Sequence, residues 1–149
     1  CAYGLFELLK AKGVDAEICY KGSIDKTVTA KMVRLLDIAV KEYMSADKFS
    51  KEDEIILVDA QKGNSNIIDM NGHEIICIDH HPVYEHVDYR FSDIRPEVGA
   101  CASIIASYYF DNNIQRMLQQ LYCTGLRWTQ LICAEAFHSL IWICFISCL

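Results

Sequence analysis

The sequence predicts an α/β domain with a mainly parallel sheet flanked by helices. Two short runs, Ile55–Val58 and Ile75–Ile78, are apolar at every position. Such runs are typical of strands covered on both faces of a parallel sheet. Segments with apolar residues at helical spacing alternate with strand-like runs along residues 1–114, which favours the α/β class. A chain of 149 residues is long enough for one such domain.

The predicted elements follow the chain in the order helix, strand, helix, strand, strand, short strand and helix. They are helix 2–12, strand 15–20, helix 27–44, strand 55–59, strand 73–79, strand 89–92 and helix 98–110. Gly13 is well placed to end the first helix. Asn71-Gly72 marks a turn before the 73–79 strand.

Charge and cysteine usage narrow the class of protein. A formal net charge of −6 and a pI near 5.3 argue against a generally basic nucleic-acid-binding surface. They do not exclude a local basic groove. No signal peptide is visible, and a first residue of Cys rather than Met indicates a missing upstream segment. Cys19, Cys77 and Cys101 lie in predicted elements, so we expect reduced core thiols and a cytoplasmic protein. No cysteine pair has the two-residue spacing of a zinc knuckle, which disfavours a structural zinc site.

Polar side chains follow both apolar strands where each strand ends. Asp59 follows the first, and Asp79, His80 and His81 end the second. Because ligands bind beyond the carboxyl ends of parallel strands, these residues are candidates for a metal or phosphate site. Carboxylate and imidazole together suit Mn, Fe, Zn or Co better than Mg. The alternative is structural: Asp59 caps the next segment and Asp79 orients a core histidine.

A second candidate for phosphate binding is Arg95 with the start of the last predicted helix at Gly99-Ala100. Helix N-termini present N–H groups that bind anions. The alternative role of Arg95 is a surface salt bridge.

Four segments together resemble the DHH phosphoesterase superfamily, within its oligoribonuclease and 3'-phosphoadenosine 5'-phosphate phosphatase group. They are AYGLFELLKAKG, ILVDA, CIDHHP and DIRPEVGACASIIASYYF. The resemblance covers residues 1 to about 114 and implies a DHH-type N-terminal catalytic domain. It also implies hydrolysis of phosphodiester or phosphomonoester bonds in short oligonucleotides or nucleotides, with two divalent ions, typically manganese.

The resemblance also implies roles for the candidate residues. Asp59 and His80 would bind the metal ions, His81 would contact the substrate phosphate and Asp79 would orient its neighbours. His81 and Asp79 are thus the expected catalytic residues, and Arg95 is a further candidate for phosphate contact. The complete parent is expected to carry a second domain that grips the nucleotide and to be able to form a homo-oligomer, without a membrane partner.

Two departures from the family pattern argue against activity of this chain. The family's first motif, a histidine followed by closely spaced aspartates, precedes the helix that begins here at Cys1 and is absent. A later strand of the form Tyr-Gly-Ile-x-x-Asp-Thr is replaced by a different sequence from Leu121 onward. Asp59 and His80 alone leave too few donors for a tight dinuclear site, so we expect an inactive fragment.

Residues 115–149 differ from the rest in composition, with Trp, Cys and long apolar runs. Read two bases on from Met117, their codons can encode the missing Tyr-Gly-x-x-x-Asp-Thr pattern, and the overlap of Trp128 with Thr129 can only give Asp. We therefore interpret this region as an aberrant or frameshifted tail beyond a domain of residues 1–114, with natural divergence as the alternative. The final run, Leu140–Leu149, is ten residues long and too short to span a bilayer.

The leading functional hypothesis is therefore a fragment of a manganese-dependent phosphoesterase. The alternative is a non-catalytic α/β module that binds nucleotides or regulates a partner through a degenerate site. The number of metal ligands distinguishes the two. A membrane-associated protein is a third hypothesis that depends wholly on the tail.

Overall fold

Helices and strands alternate along the chain in the computed structural model, which describes residues 1–25, 27–43, 49–64, 67, 70–83, 86–114 and the backbone of 140–145. The elements are α1 (Ala2–Ala11), β1 (Glu17–Lys21), α2 (Thr27–Leu35), β2 (Val40–Glu42), β3 (Glu54–Val58), β4 (His73–Asp79), β5 (Phe91–Ile94), α3 (Cys101–Asp111) and β6 (Leu140–Phe145). The predicted α/β class is confirmed.

Six strands form one sheet in the order β2-β1-β6-β3-β4-β5. β1 is parallel to β2, and β3, β4 and β5 are parallel to one another. β6 runs antiparallel to both β1 and β3. The sheet is therefore mainly parallel, as predicted. Between β3 and β4 the register shifts once, so that Ile55 pairs with Glu74, Ile56 pairs with Ile76, and Ile75 is skipped.

Residues from all three helices pack on one face of the sheet. Leu8 of α1 and Ile105 of α3 belong to the same buried cluster as Val58 of β3, and α2 adds partly buried residues to it. A Cβ at Gly4 would lie 3.3 Å from Ile105 Cγ2, so the absence of a side chain lets α1 approach α3. The Tyr109 hydroxyl donates a hydrogen bond to the Gly4 carbonyl oxygen at 2.6 Å, which ties the two helices together.

In the described part of the chain, loop residues cover the second face of the sheet. The buried cluster there consists of Cys19, Tyr43, Ile55, Leu57, Met70 and Cys77. Phe49 and Tyr89 pack against this cluster from the loops. The predicted core position of Cys19, Cys77 and Cys101 is confirmed, since all three are buried, and they form no disulfide among the described residues.

The second helix is shorter than its sequence pattern predicts. Asp37 has a left-handed backbone with φ of 47°. The Ile38 N–H donates to Val33 O at 2.9 Å and the Asp37 N–H donates to Arg34 O at 3.4 Å, which is the Schellman arrangement that ends helices. The predicted continuation of the helix to about residue 44 is therefore wrong, because the chain turns here and forms β2.

β5 and α3 begin later than predicted. β5 covers Phe91–Ile94 rather than 89–92, and α3 starts at Cys101 rather than Val98. The segment between β5 and α3 begins with a turn. In this turn the Val98 N–H donates to Arg95 O at 3.0 Å. Gly99 therefore precedes the helix, and Ala100 is its N-cap.

Most of the tail lies outside the described residues, which omit 115–139 and 146–149. The domain boundary at residue 114 and the frameshift interpretation therefore stay predictions. Leu140–Phe145 forms β6 in the middle of the sheet. Among the described residues, no helix combines the length and apolar character needed to cross a bilayer.

Candidate metal site

The carboxyl-terminal ends of β3 and β4 bring three candidate residues together. Asp59 directly follows β3, and His80 and His81 directly follow β4. The atoms of these three side chains that could ligate a metal ion all lie within 4.8 Å of one another. The structure therefore brings together the candidate residues that the sequence placed at the ends of the two apolar strands.

Asp59 and His80 face each other through two atoms that accept hydrogen bonds. His80 Nδ1 lies 3.3 Å from the Val98 carbonyl oxygen, which can only accept, so Nδ1 carries a proton. When Nδ1 carries the only ring proton, the lone pair is on Nε2, which lies 3.3 Å from Asp59 Oδ1. Asp59 Oδ1 is buried and has no hydrogen-bond donor among the described residues. Two such atoms repel each other unless a cation or a proton lies between them, and the donor chemistry of the pair suits a divalent metal ion.

The backbone of Asp59 is in the left-handed region, with φ of 65°. Asp adopts this conformation more readily than most residues, at a cost of about 1 to 3 kcal/mol. The Asp59 N–H donates to Ile78 O at 2.9 Å, so β4 helps to hold the turn. Residues in this state are concentrated at binding sites, where surrounding contacts maintain them.

Asp79 is fully buried and fixes both histidines. Its Oδ1 accepts hydrogen bonds from the His80 backbone N–H and from His81 Nδ1, both at 2.8 Å. Its Oδ2 accepts a hydrogen bond from Gln61 Nε2 at 2.7 Å. Because Nδ1 of His81 is bound to a carboxylate, its Nε2 keeps the lone pair for a metal ion or a substrate. This geometry suits a residue that orients its neighbours.

Gln61 is a buried member of the site that sequence reasoning missed. Besides Asp79, its Nε2 contacts the carbonyl oxygens of His81 at 3.2 Å and Pro82 at 3.1 Å. The only signal in the sequence was the position of Gln61, two residues after Asp59. A loop residue without a role in the site could occupy that position equally well, so the sequence could not distinguish the two roles.

Cys101 packs beneath the site. Its Sγ donates to Ile78 O at 3.5 Å. Burial, with a smaller contribution from the nearby Asp59 carboxylate, raises the pKa of the Cys101 thiol to about 12. The thiol is therefore protonated at neutral pH and acts as a packing group.

Arg95 lies at the same edge of the sheet, with its guanidinium paired to Asp93. Nε and Nη2 donate to the two Asp93 carboxylate oxygens, both at 2.7 Å, which is a strong bidentate geometry. The Tyr108 hydroxyl donates to Asp93 Oδ2 at 2.5 Å. Arg95 thus has a salt bridge of the kind that the alternative interpretation predicted, and its contact with phosphate stays a prediction.

We expect Asp93 to contribute to the loss of stability in acid. Its hydrogen bonds with Arg95 lower the pKa of Asp93 below the ordinary 3.8; burial acts in the opposite direction, and the Tyr108 hydroxyl lowers it further. A carboxyl group with a lowered folded pKa adds stability above its unfolded pKa, and this stability is lost as the pH falls through the folded value. The free energy of unfolding, measured in urea, should therefore fall less between pH 7 and about pH 3 in Asp93→Asn than in the wild type. The exposed control Asp88→Asn should behave like the wild type, and equal losses in all three proteins would contradict the prediction.

The chain is similar to the uncharacterized protein MJ1633 of Methanocaldococcus jannaschii, with 32% identity over 116 residues. The match covers 76% of this chain and 23% of that protein. The chain therefore spans about a quarter of the length of this relative. No protein-family model and no solved structure matches the chain.

Proposed function

We propose that this chain is the metal-binding part of a metal-dependent phosphoesterase of the DHH type. The complete protein would hydrolyse phosphodiester or phosphomonoester bonds in short oligonucleotides or nucleotides. The observation that carries the proposal is the opposed pair of acceptors, Asp59 Oδ1 and His80 Nε2, at 3.3 Å. With a neutral His80, the buried oxygen of a purely structural aspartate would face another acceptor and lack a donor, whereas a bound cation satisfies both atoms.

The donor set fits a divalent ion such as Mn²⁺. Asp59 would supply a carboxylate oxygen and His80 would supply Nε2. His81 keeps Nε2 for a metal ion or a substrate phosphate, because its Nδ1 is bound to Asp79 at 2.8 Å. When bound, a pair of divalent ions activates water and stabilises charge on the phosphate. The residues of this chain hold and orient that site.

A second candidate is a module that binds a nucleotide through a metal ion at this site, without turnover. It is favoured by the size of the ligand cluster, which has three side chains among the described residues. A dinuclear hydrolytic site needs more donors than these. Both candidates predict metal binding, and only the phosphoesterase predicts hydrolysis by a longer form of the protein. A cytoplasmic location is part of both proposals.

Calorimetric titration of the 149-residue chain with Mn²⁺ at pH 8 tests the shared part of the two proposals. We expect binding that persists in His86→Asn, an exposed histidine outside the cluster. Incubation with a diadenylate and Mn²⁺ then tests turnover, by this chain and by a longer form with further ligands. Hydrolysis by the longer form would support the phosphoesterase. Binding without hydrolysis by either would support the non-catalytic module, and a folded chain that binds neither Mn²⁺ nor Co²⁺ would refute both.

A further inference from the structure

The segment Asp59–Gly63, here called the site loop, carries two residues of the candidate site and is tied to the second face of the sheet. Cys77 Sγ donates to Ala60 O at 3.4 Å. The Lys62 backbone N–H donates to the Tyr89 hydroxyl at 2.9 Å. Cys77 belongs to the apolar cluster on that face, and Tyr89 packs against that cluster. The path of the loop therefore depends on contacts away from the metal-ligating atoms.

A third contact of the loop is the ion pair between Lys62 and Glu74. Lys62 Nζ lies 2.7 Å from Glu74 Oε2, and the Glu74 side chain is only 3% exposed. Glu74 Oε1 is also buried and has no hydrogen-bond partner in the described part of the chain. A buried carboxylate without its partner is strongly unfavourable. Glu74 therefore holds Lys62 more firmly than a surface ion pair would.

The register shift in β4 puts Glu74 under the site loop. Glu74 pairs with Ile55, which belongs to the cluster on the second face. Strict alternation along the strand would instead place Glu74 on the same face as Ile76, which packs with the helices. The shift thus places Glu74 on the face of the sheet where it pairs with Lys62.

We propose that Lys62 and Glu74 are positioning residues for the metal site. Their ion pair fixes the path of the site loop and so keeps Asp59 in its left-handed conformation, facing His80. If the loop is released, Asp59 can relax to a more favourable backbone region, and its carboxylate then leaves Nε2 of His80. The consequence for metal binding rests on the proposed function, whereas the effect on the loop backbone does not.

Hydrogen exchange of the metal-free 149-residue chain, followed by NMR, tests the effect on the loop. The Asp59 N–H donates to Ile78 O, so its exchange rate relative to that of Leu57 in β3 reports local opening. We expect this ratio to rise at least about tenfold in Lys62→Met and to stay within about threefold of wild type in Lys62→Arg. The double variant Lys62→Met/Glu74→Gln leaves no buried charge behind, so it should fold and still show the higher ratio.

Two controls separate positioning from general destabilisation. Arg90→Met removes an exposed ion pair with Glu54, and Leu8→Ala weakens the cluster on the helix side of the sheet. In neither control should Asp59 exchange rise relative to Leu57. Unchanged ratios in Lys62→Met and in the double variant would overturn the proposal.

Titration of the same variants with Mn²⁺ tests the consequence for the site. We expect affinity about tenfold weaker in Lys62→Met and in the double variant, and near that of the wild type in Lys62→Arg and Arg90→Met. A raised exchange ratio with unchanged Mn²⁺ affinity would refute the positioning role and leave the proposed function intact. If the wild type binds no Mn²⁺, the proposed function and the metal-positioning role both fail, and the exchange ratio still decides whether the ion pair holds the loop.

Discussion

Replacement of Asp59 by Asn should stabilise the metal-free protein and remove Mn²⁺ binding at the same time. An Asn side chain can donate an N–H to His80 Nε2, so two opposed acceptors 3.3 Å apart become a hydrogen-bonded pair. We expect the free energy of unfolding at pH 8 to rise by about 0.5 to 1.5 kcal/mol. Mn²⁺ affinity should fall by at least about 100-fold, since loss of a ligand exceeds the effect of losing its outer partners.

Urea unfolding and calorimetric titration measure the two effects separately. Asn also tolerates the left-handed conformation that Asp59 adopts at φ of 65°, so the backbone should not change. Asp59→Ala is the matched control, because it removes the carboxylate without supplying a donor, and it should lack the gain in stability. A clear loss of stability in Asp59→Asn would instead show that Asp59 caps the following segment, which is the structural alternative that the sequence left open.

Asp79→Asn should be the most damaging single substitution at the site. The Asp79 carboxylate accepts bonds from the His80 N–H, His81 Nδ1 and Gln61 Nε2. An Asn amide must turn an N–H toward at least one of these donors. We expect the free energy of unfolding to fall by about 2 to 4 kcal/mol, and Mn²⁺ affinity to fall about tenfold or more because His81 is no longer fixed.

An exchange of donor and acceptor between Asp79 and Gln61 tests this explanation. Gln61→Glu alone puts a second carboxylate beside Asp79 and should destabilise the protein by a similar amount, about 2 to 4 kcal/mol. The double variant Asp79→Asn/Gln61→Glu again pairs a donor with an acceptor, so it should recover the part of the combined loss that arises from this contact. The carboxylate introduced at position 61 cannot donate to the carbonyl oxygens of His81 and Pro82. A double-mutant cycle from urea unfolding measures this coupling, and simple additivity of the two losses would contradict the contact.

The ends of β3 and β4 were predictable from the sequence because the apolar runs there are uninterrupted. Parallel neighbouring strands must share a carboxyl-terminal edge, so Asp59, His80 and His81 had to lie near one another once both strands were recognised. The direction of each side chain was not predictable. The contact between His80 Nδ1 and Val98 O depends on the turn before α3, which the sequence pattern assigned to the helix itself.

Other errors arose where tertiary structure decides between two local patterns. Ile38 and Tyr43 fit a helical stripe, and both are buried, although the helix ends before them at Leu35. The residue that ends it with a left-handed backbone is Asp37, whereas Gly is the usual signal for this cap. The pairing of Glu74 with Ile55 was also not predictable, because the sequence pattern does not show where a register shift occurs.

The position of β6 has a consequence for the order in which the fold assembles. β6 lies in the centre of the sheet, where Lys21 pairs with Leu140, so joining the two halves requires closure of a very long stretch of chain. Such distant pairing is entropically costly and slow, whereas pairing between near neighbours in the chain forms early. The half made of β3, β4 and β5 is complete by Ile94. The strands that present Asp59 and His80 can therefore associate through contacts of much smaller sequence separation before the sheet becomes continuous.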